Sequence, residues 1–252
     1  MPKDERFDRM ERTEWIDMSR IHGTQVFVAG AGALGNEVVK NLVLAGFRDI
    51  TVADPDTVER SNLSRCVLFR EESVGRNKAE VIAETAAELY PGCRITPIPD
   101  VMQRTDLSRF GVLIGCLDSI SARLHLNAHA RFFGIPYVDG ATDGFRGKMQ
   151  TVFPKGPCLE CGMNTTHLDA LHRTFSCIPG ETVKDPVILS SGITTTAVIA
   201  AMCVREVLKI VCGRADLCVP GVSYYDGISG RTEVLETGFR KGCPHHEGEL
   251  IE

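Results

Sequence analysis

A short apolar run, Gln25 to Ala29 (QVFVA), ends in glycines spaced G-x-G-x-x-G: Gly30, Gly32 and Gly35. The run reads as a buried strand and Asn36 to Ala45 (NEVVKNLVLA) as an amphipathic helix, so the chain must turn directly from one into the other. Glycine suits that turn because the backbone bends sharply and lets a phosphate approach the helix N-terminus, whose N–H groups favour anions. A second strand, Asp49 to Ala53, leads into Asp54, nineteen residues past Gly35, where an acid accepts hydrogen bonds from a ribose. Glycines also serve plain helix–strand packing. Strand, turn, helix, strand and acid in this order favour a nucleotide site.

Beyond the turn the alternation continues. Lys78 to Leu89 is a strong helix stopped by Pro91-Gly92, and Arg94 to Ile98 a strand. Val112 to Gly115 is a buried strand delivering Asp118, Ser119 to Phe133 is helical, and Pro136 to Asp139 is a further strand. The pattern predicts an α/β fold with a doubly wound, mainly parallel, Rossmann-like sheet and ligands at the carboxyl ends of its strands. We expect one domain over residues 1–252: a helical arm over about 1–24, a nucleotide-binding core over about 25–140, then loops, a long helix and strands over about 141–252. The apolar stretch Ile193 to Val211 contains Arg205, Glu206 and Lys209, and reads as a core or interface helix rather than a membrane span. A net charge of −5 disfavours a nucleic-acid partner. The charged N-terminus is no secretory signal, so ten cysteines imply thiols kept reduced in the cytoplasm, for which metal and catalysis outrank disulfides.

Past Asp54 comes a polar insertion that a dehydrogenase does not need. Asp56, Glu59, Asn62, Arg65 and Lys78 follow within twenty-four residues. Asn62 can donate to phosphate oxygens, Arg65 can grip one bidentately, Lys78 adds a point charge, and Asp118 can hold a hard cation such as Mg2+. Each alone is an ordinary surface residue; on successive strand ends of one sheet they favour triphosphate handling.

GAGALG, DPDTVERSNLSR, GRNKAE and GCLDS together resemble the ubiquitin-activating superfamily, the ThiF/MoeB/HesA-type adenylyltransferases, from about Arg6 to His246. The resemblance implies ATP-dependent adenylation of the C-terminal carboxylate of a ubiquitin-like or sulfur-carrier protein ending in Gly-Gly, with release of pyrophosphate. It places the ribose on Asp54, the phosphates on Asn62, Arg65 and Lys78, and Mg2+ on Asp118. It also implies a homodimer in which Arg9 reaches the ATP of the partner subunit. Two positions depart from the family: Cys66 stands where glutamine is usual, and Ser119 where asparagine follows the magnesium aspartate.

A second signal is metal. Cys158-x-x-Cys161 and Cys243-x-x-His246 are two ligand pairs far apart in sequence, which fits a structural Cys3His zinc site, with His245 the competitor of His246. Related proteins carry four cysteines there. The site is expected to tie the C-terminal tail to the far edge of the sheet. By resemblance, Cys177 lies where relatives that form thioesters carry their nucleophile, sixteen residues after Cys161. The other six cysteines read as packing residues. The leading expectation is therefore an activating enzyme that passes its cargo to Cys177, with a separate conjugating enzyme or sulfur donor as a further partner. Alternatives are a sulfur-carrier adenylyltransferase that stops at the acyl-adenylate, a non-catalytic half of a heterodimer, and, remotely, an NAD-dependent oxidoreductase.

Overall fold

The computed structural model describes residues 5–100, 105–163 and 192–246. Five strands, β1 (Gln25–Ala29), β2 (Asp49–Ala53), β3 (Arg94–Ile98), β4 (Val112–Gly115) and β5 (Tyr137–Asp143), pair in parallel. Three more, β6 (Arg146–Val152), β7 (Val222–Asp226) and β8 (Arg231–Leu235), extend the sheet antiparallel. The order is β3-β2-β1-β4-β5-β6-β7-β8. The strand order reverses direction between β1 and β4, which opens a ligand crevice at their carboxyl ends.

β1, β2 and β4 are nearly continuous apolar runs because helices cover both of their faces. On one side lie α3 (Ala33–Ala45), α4 (Lys78–Leu89) and α6 (Ile193–Val211), closing a core around Val26, Val28, Ile50, Ile82, Ile114 and Ile199. On the other, α5 (Ile120–Phe133) packs with Phe27, Leu113, Leu126 and Tyr137. α6 is a core helix, burying Ile199, Cys203, Val204 and Val207. Gly147 of β6 lets it approach closely, since a Cβ there would stand 2.4 Å from Ile199 Cγ1. No helix among the described residues is long and apolar enough to cross a membrane.

The expected helical arm is broken into a 3-10 turn (Glu5–Phe7), α1 (Asp8–Glu11) and α2 (Met18–Gly23), the last capped by Asp17, which accepts from Ser19 and Arg20 N–H. Phe7 is buried against Tyr90 and His22, and lies next to Gly46 at the C-terminal end of α3. Both α3 and α4 start at the carboxyl ends of the strands, so Phe7 is fixed at the opposite end of the sheet.

Candidate active site

The glycine turn is held by its neighbours through backbone bonds: Gly30 N–H donates to Ala53 O (2.9 Å) and Cys116 N–H to Ala29 O (2.8 Å). Gly30 adopts φ 97°, and a Cβ there would lie 2.4 Å from Cys116 O. A Cβ on Gly35 would lie 2.0 Å from Gly30 O. Around Gly32, by contrast, there is open space: a Cβ there would meet nothing within 4 Å. Gly32 is the N-cap of α3, whose first-turn N–H groups lack intrahelical acceptors. Two glycines therefore serve close packing, and the third leaves a cradle that an anion can fill.

Asp54 is buried, with both carboxylate oxygens on backbone donors: Oδ2 accepts from Ala31 N–H (2.6 Å) and Oδ1 from Asp56 N–H (2.9 Å). Burial raises its pKa, opposed by those two N–H groups and by Lys78. Its observed contacts clamp the glycine turn to the insertion. Asn36, which carries no motif signature, extends the clamp: its amide donates to Ala31 O (2.9 Å) and Gly32 O (3.1 Å) and accepts from Leu68 N–H (3.0 Å). Asn77 performs the same service for α4, donating to Asp54 O and Asp56 O while capping Glu80 N–H.

The insertion folds as a 3-10 turn, Arg60–Ser64. Asn62 Oδ1 caps Glu59 N–H at 2.9 Å, while its amide nitrogen is held only by a 3.4 Å contact with Ser61 Oγ. Arg65 Nη1 donates to Ser61 O. Lys78 Nζ pairs with the exposed Asp56 at 2.8 Å. Burial disfavours the Lys78 ammonium, but the Asp56 bond and the Asp54 and Asp56 charges outweigh it and hold its pKa above the ordinary value. Asp118 is exposed three residues past the end of β4, beside the glycine turn across the Ala29–Gly115 pairing. Cys66 is buried below this surface and its thiol is pushed up to about 11, chiefly by burial, which makes it a packing residue. Ser119 caps α5 by accepting from Ala122 N–H.

Arg9 is not brought to this site. It is exposed two residues from the anchored Phe7, while α3 runs the length of its 13 residues, about 20 Å, back from the glycine turn. Cys177 lies outside the described residues.

Cys158, Cys161, Cys243 and His246 do converge, one ligand atom of each lying within 4.8 Å of the others. The Cys158 sulfur is 3.8 Å from that of Cys161 and 3.6 Å from that of Cys243. Tetrahedral zinc with bonds of about 2.3 Å requires sulfur–sulfur edges of about 3.8 Å, so the donor set fits the metal. His245 points to Glu160 instead (3.3 Å), and Arg240 joins the same carboxylate (3.1 Å). The position differs from the expected far edge, which is β8. The knuckle packs on the α5 face, where Leu159 N–H donates to Asn127 Oδ1 and Gly162 abuts Gln150 and Val222. Cys158 comes six residues after β6, an interior strand flanked by β5 and β7, so the tail is drawn inward from the β8 edge.

Behind Asp118, in the first turns of α5, is a group that no motif announced. Arg123 Nε donates to Asp139 Oδ1 (3.0 Å), its Nη2 to Oδ2, and Tyr137 Oη to Oδ1 (2.6 Å), all three residues being buried. Asp139 holds the Arg123 guanidinium charged despite burial.

The ThiF family model matches residues 8–245. The chain belongs to the ThiF family. It is 41% identical over 157 residues to a NEDD8-activating enzyme E1 catalytic subunit of Dictyostelium discoideum, an alignment covering 56% of this chain and 36% of that protein. The similar subunit of Caenorhabditis elegans is 38% identical over 162 residues, 57% of this chain and 37% of that protein. The matched part is thus little more than a third of either relative. Among solved structures, E. coli MccB superposes with a TM-score of 0.80 at 19% identity, over 98% of this chain and 73% of that one, a likeness of fold.

Proposed function

We propose that this chain uses ATP to adenylate the C-terminal carboxylate of a ubiquitin-like protein and releases pyrophosphate. The observation that carries the reading is the pinning of the insertion onto the glycine turn, with Ala31 N–H on Asp54 and Leu68 N–H on Asn36, next to the open space at Gly32; Asn62, Arg65 and Lys78 belong to the stretch so held. Membership of the ThiF family and similarity to NEDD8-activating subunits support the same chemistry. An oxidoreductase has no use for that polar insertion with its Asn62, Arg65 and Lys78.

The triphosphate lies over the N-terminus of α3. Arg65 and Lys78 neutralise it, with phosphate replacing Asp56 as the partner of Lys78, and Asn62 donates its loosely held amide. Asp54 and Asp56 flank the ribose. Asp118 is an exposed hard-oxygen donor suited to Mg2+, which supplies further neutralisation when bound. A carboxylate oxygen of the carrier attacks the α-phosphorus, the bond to the bridging oxygen breaks, and pyrophosphate leaves with its electron pair. Arg9, far from its own glycine turn, acts on the site of a second subunit in a homodimer. The four-ligand knuckle holds a structural zinc ion. Cys177 then takes the acyl group as a thioester, displacing AMP; a sulfur-carrier adenylyltransferase is the alternative in which that step is missing.

Pyrophosphate exchange into ATP with a panel of ubiquitin-fold carriers ending in Gly-Gly tests the reading. Exchange that is lost in Asp118→Ala is expected. No exchange with any carrier refutes adenylation. A thiol-sensitive enzyme–carrier adduct absent in Cys177→Ala supports the thioester, and adenylation without such an adduct assigns the alternative.

A further inference from the structure

Lys148 stands on β6 and faces the α5 side of the sheet. Its neighbours Gly147 and Met149 face α6 and the opposite core, whereas Val152, four residues on, joins Tyr137 under α5. Among the described residues Lys148 makes no hydrogen bond or ion pair, and it is only partly exposed. The nearest acid, Asp139, sits diagonally across the β5–β6 pairing, but both its oxygens are already taken by Arg123 and Tyr137. Two cations thus share one carboxylate in a half-desolvated place. Burial first, and then Arg123, weakens the hold of Lys148 on its proton, with Asp139 opposing. Such a cluster favours one more anion.

The register says where that anion would lie. Lys148 pairs with Ala141, two residues beyond Asp139, and Asp139 pairs with Gly115 at the end of β4. Lys148 is therefore about 7 Å past the level of Gly115 and two strands, about 10 Å, to its side. Asp118, three residues beyond Gly115, rises at the same rim. A flexible lysine stem spans much of the remaining gap. Arg65 and Lys78 follow β2, on the β1 and β2 side of this rim, so Lys148 approaches from the opposite, β5 and β6 side.

We infer that Lys148 binds the C-terminal carboxylate of the carrier protein and holds it toward the α-phosphate. The Arg123–Asp139 pair is its support, fixing the field in which the ammonium sits. This rests on the adenylation reading and adds a residue for the acyl substrate, as distinct from those for ATP.

The test uses a carrier found to support exchange, in two forms, one ending in the free carboxylate and one in the carboxamide. Wild-type enzyme is expected to bind the acid more tightly than the amide, by fluorescence anisotropy of labelled carrier. Lys148→Met and Lys148→Gln should lose that preference, with KM for the carrier up about tenfold or more, as for one charge-assisted hydrogen bond, and KM for ATP unchanged. Lys148→Arg should keep most of it. Melting temperatures identify any variant that fails to fold, and three substitutions keep the measurement decisive. An acid-over-amide preference that survives in the neutral variants overturns this inference alone. Absence of exchange with every carrier overturns the adenylation reading, and this inference falls with it.

Discussion

Alanine at Gly32 and at Gly35 should fail in opposite ways, although both positions belong to one turn. At Gly35 the new Cβ would lie 2.0 Å from Gly30 O and 2.9 Å from its carbonyl carbon, both backbone atoms. Ordinary contact begins near 3.4 Å, so the turn must open by more than 1 Å, and overpacking of this kind costs about 1–3 kcal/mol or more. At Gly32 there is space, and φ −70°, ψ −161° suits alanine. Lower unfolded-state entropy stabilises that variant by about 0.4–1 kcal/mol, and the poorer N-cap offsets a similar amount. For a chain of 252 residues each kcal/mol moves Tm by roughly 2 °C. Gly35→Ala should therefore melt roughly 2–6 °C lower, and Gly32→Ala within about 2 °C of wild type. The methyl of Gly32→Ala instead occupies the cradle, so its ATP affinity, measured by calorimetry, should drop at least about tenfold, the effect of losing one charge-assisted contact. Wild-type ATP affinity in Gly32→Ala would refute the cradle as the phosphate floor. A melting temperature as low as that of Gly35→Ala would refute the assignment of packing and binding to different glycines.

Asp139→Asn leaves the Arg123 guanidinium buried without its counter-charge, which costs about 3–5 kcal/mol, whereas Arg123→Met/Asp139→Asn removes the stranded charge and should recover part of the loss. Denaturant midpoints decide it; a double variant no more stable than the single one would contradict the ion-pair account. Elemental analysis should find one zinc per chain, lost in Cys243→Ser, and chelation at neutral pH should lower Tm; a metal-free native protein with unchanged Tm would remove the zinc proposal.

The centre of the parallel half was legible because burial on both faces writes itself as apolar runs: β1, β2 and β4 begin and end where their residues do. β6 was not. RGKMQTV places Gly147, Met149 and Thr151 on one face and Lys148, Gln150 and Val152 on the other, so no run forms and glycine interrupts the alternation. Spacing brought Asp54 to the glycine turn but could not tell that backbone N–H groups would claim both its oxygens. Arg123 and Asp139, 16 residues apart, gather with Lys148 only after α5 and the β5–β6 hairpin have packed, and no motif marks them. The two pairs of the knuckle were readable because a tetrahedral metal would dictate such short internal spacing; where the knuckle would rest depended on β6.

The two halves of that knuckle are 85 residues apart, with α6, β7 and β8 between them. With zinc in place, a third of the chain becomes a closed ring. In the chain-entropy model such a closure removes about 4–5 kcal/mol of freedom from the unfolded state. The benefit changes slowly with ring size, since doubling it alters the closure term by only about 0.6 kcal/mol. The ring can thus take up insertions between Met163 and Gly192, the stretch that contains Cys177, at small thermodynamic cost. A clasp of this kind lets the Cys177 segment lengthen or shorten through evolution while the parallel half of the sheet stays as it is.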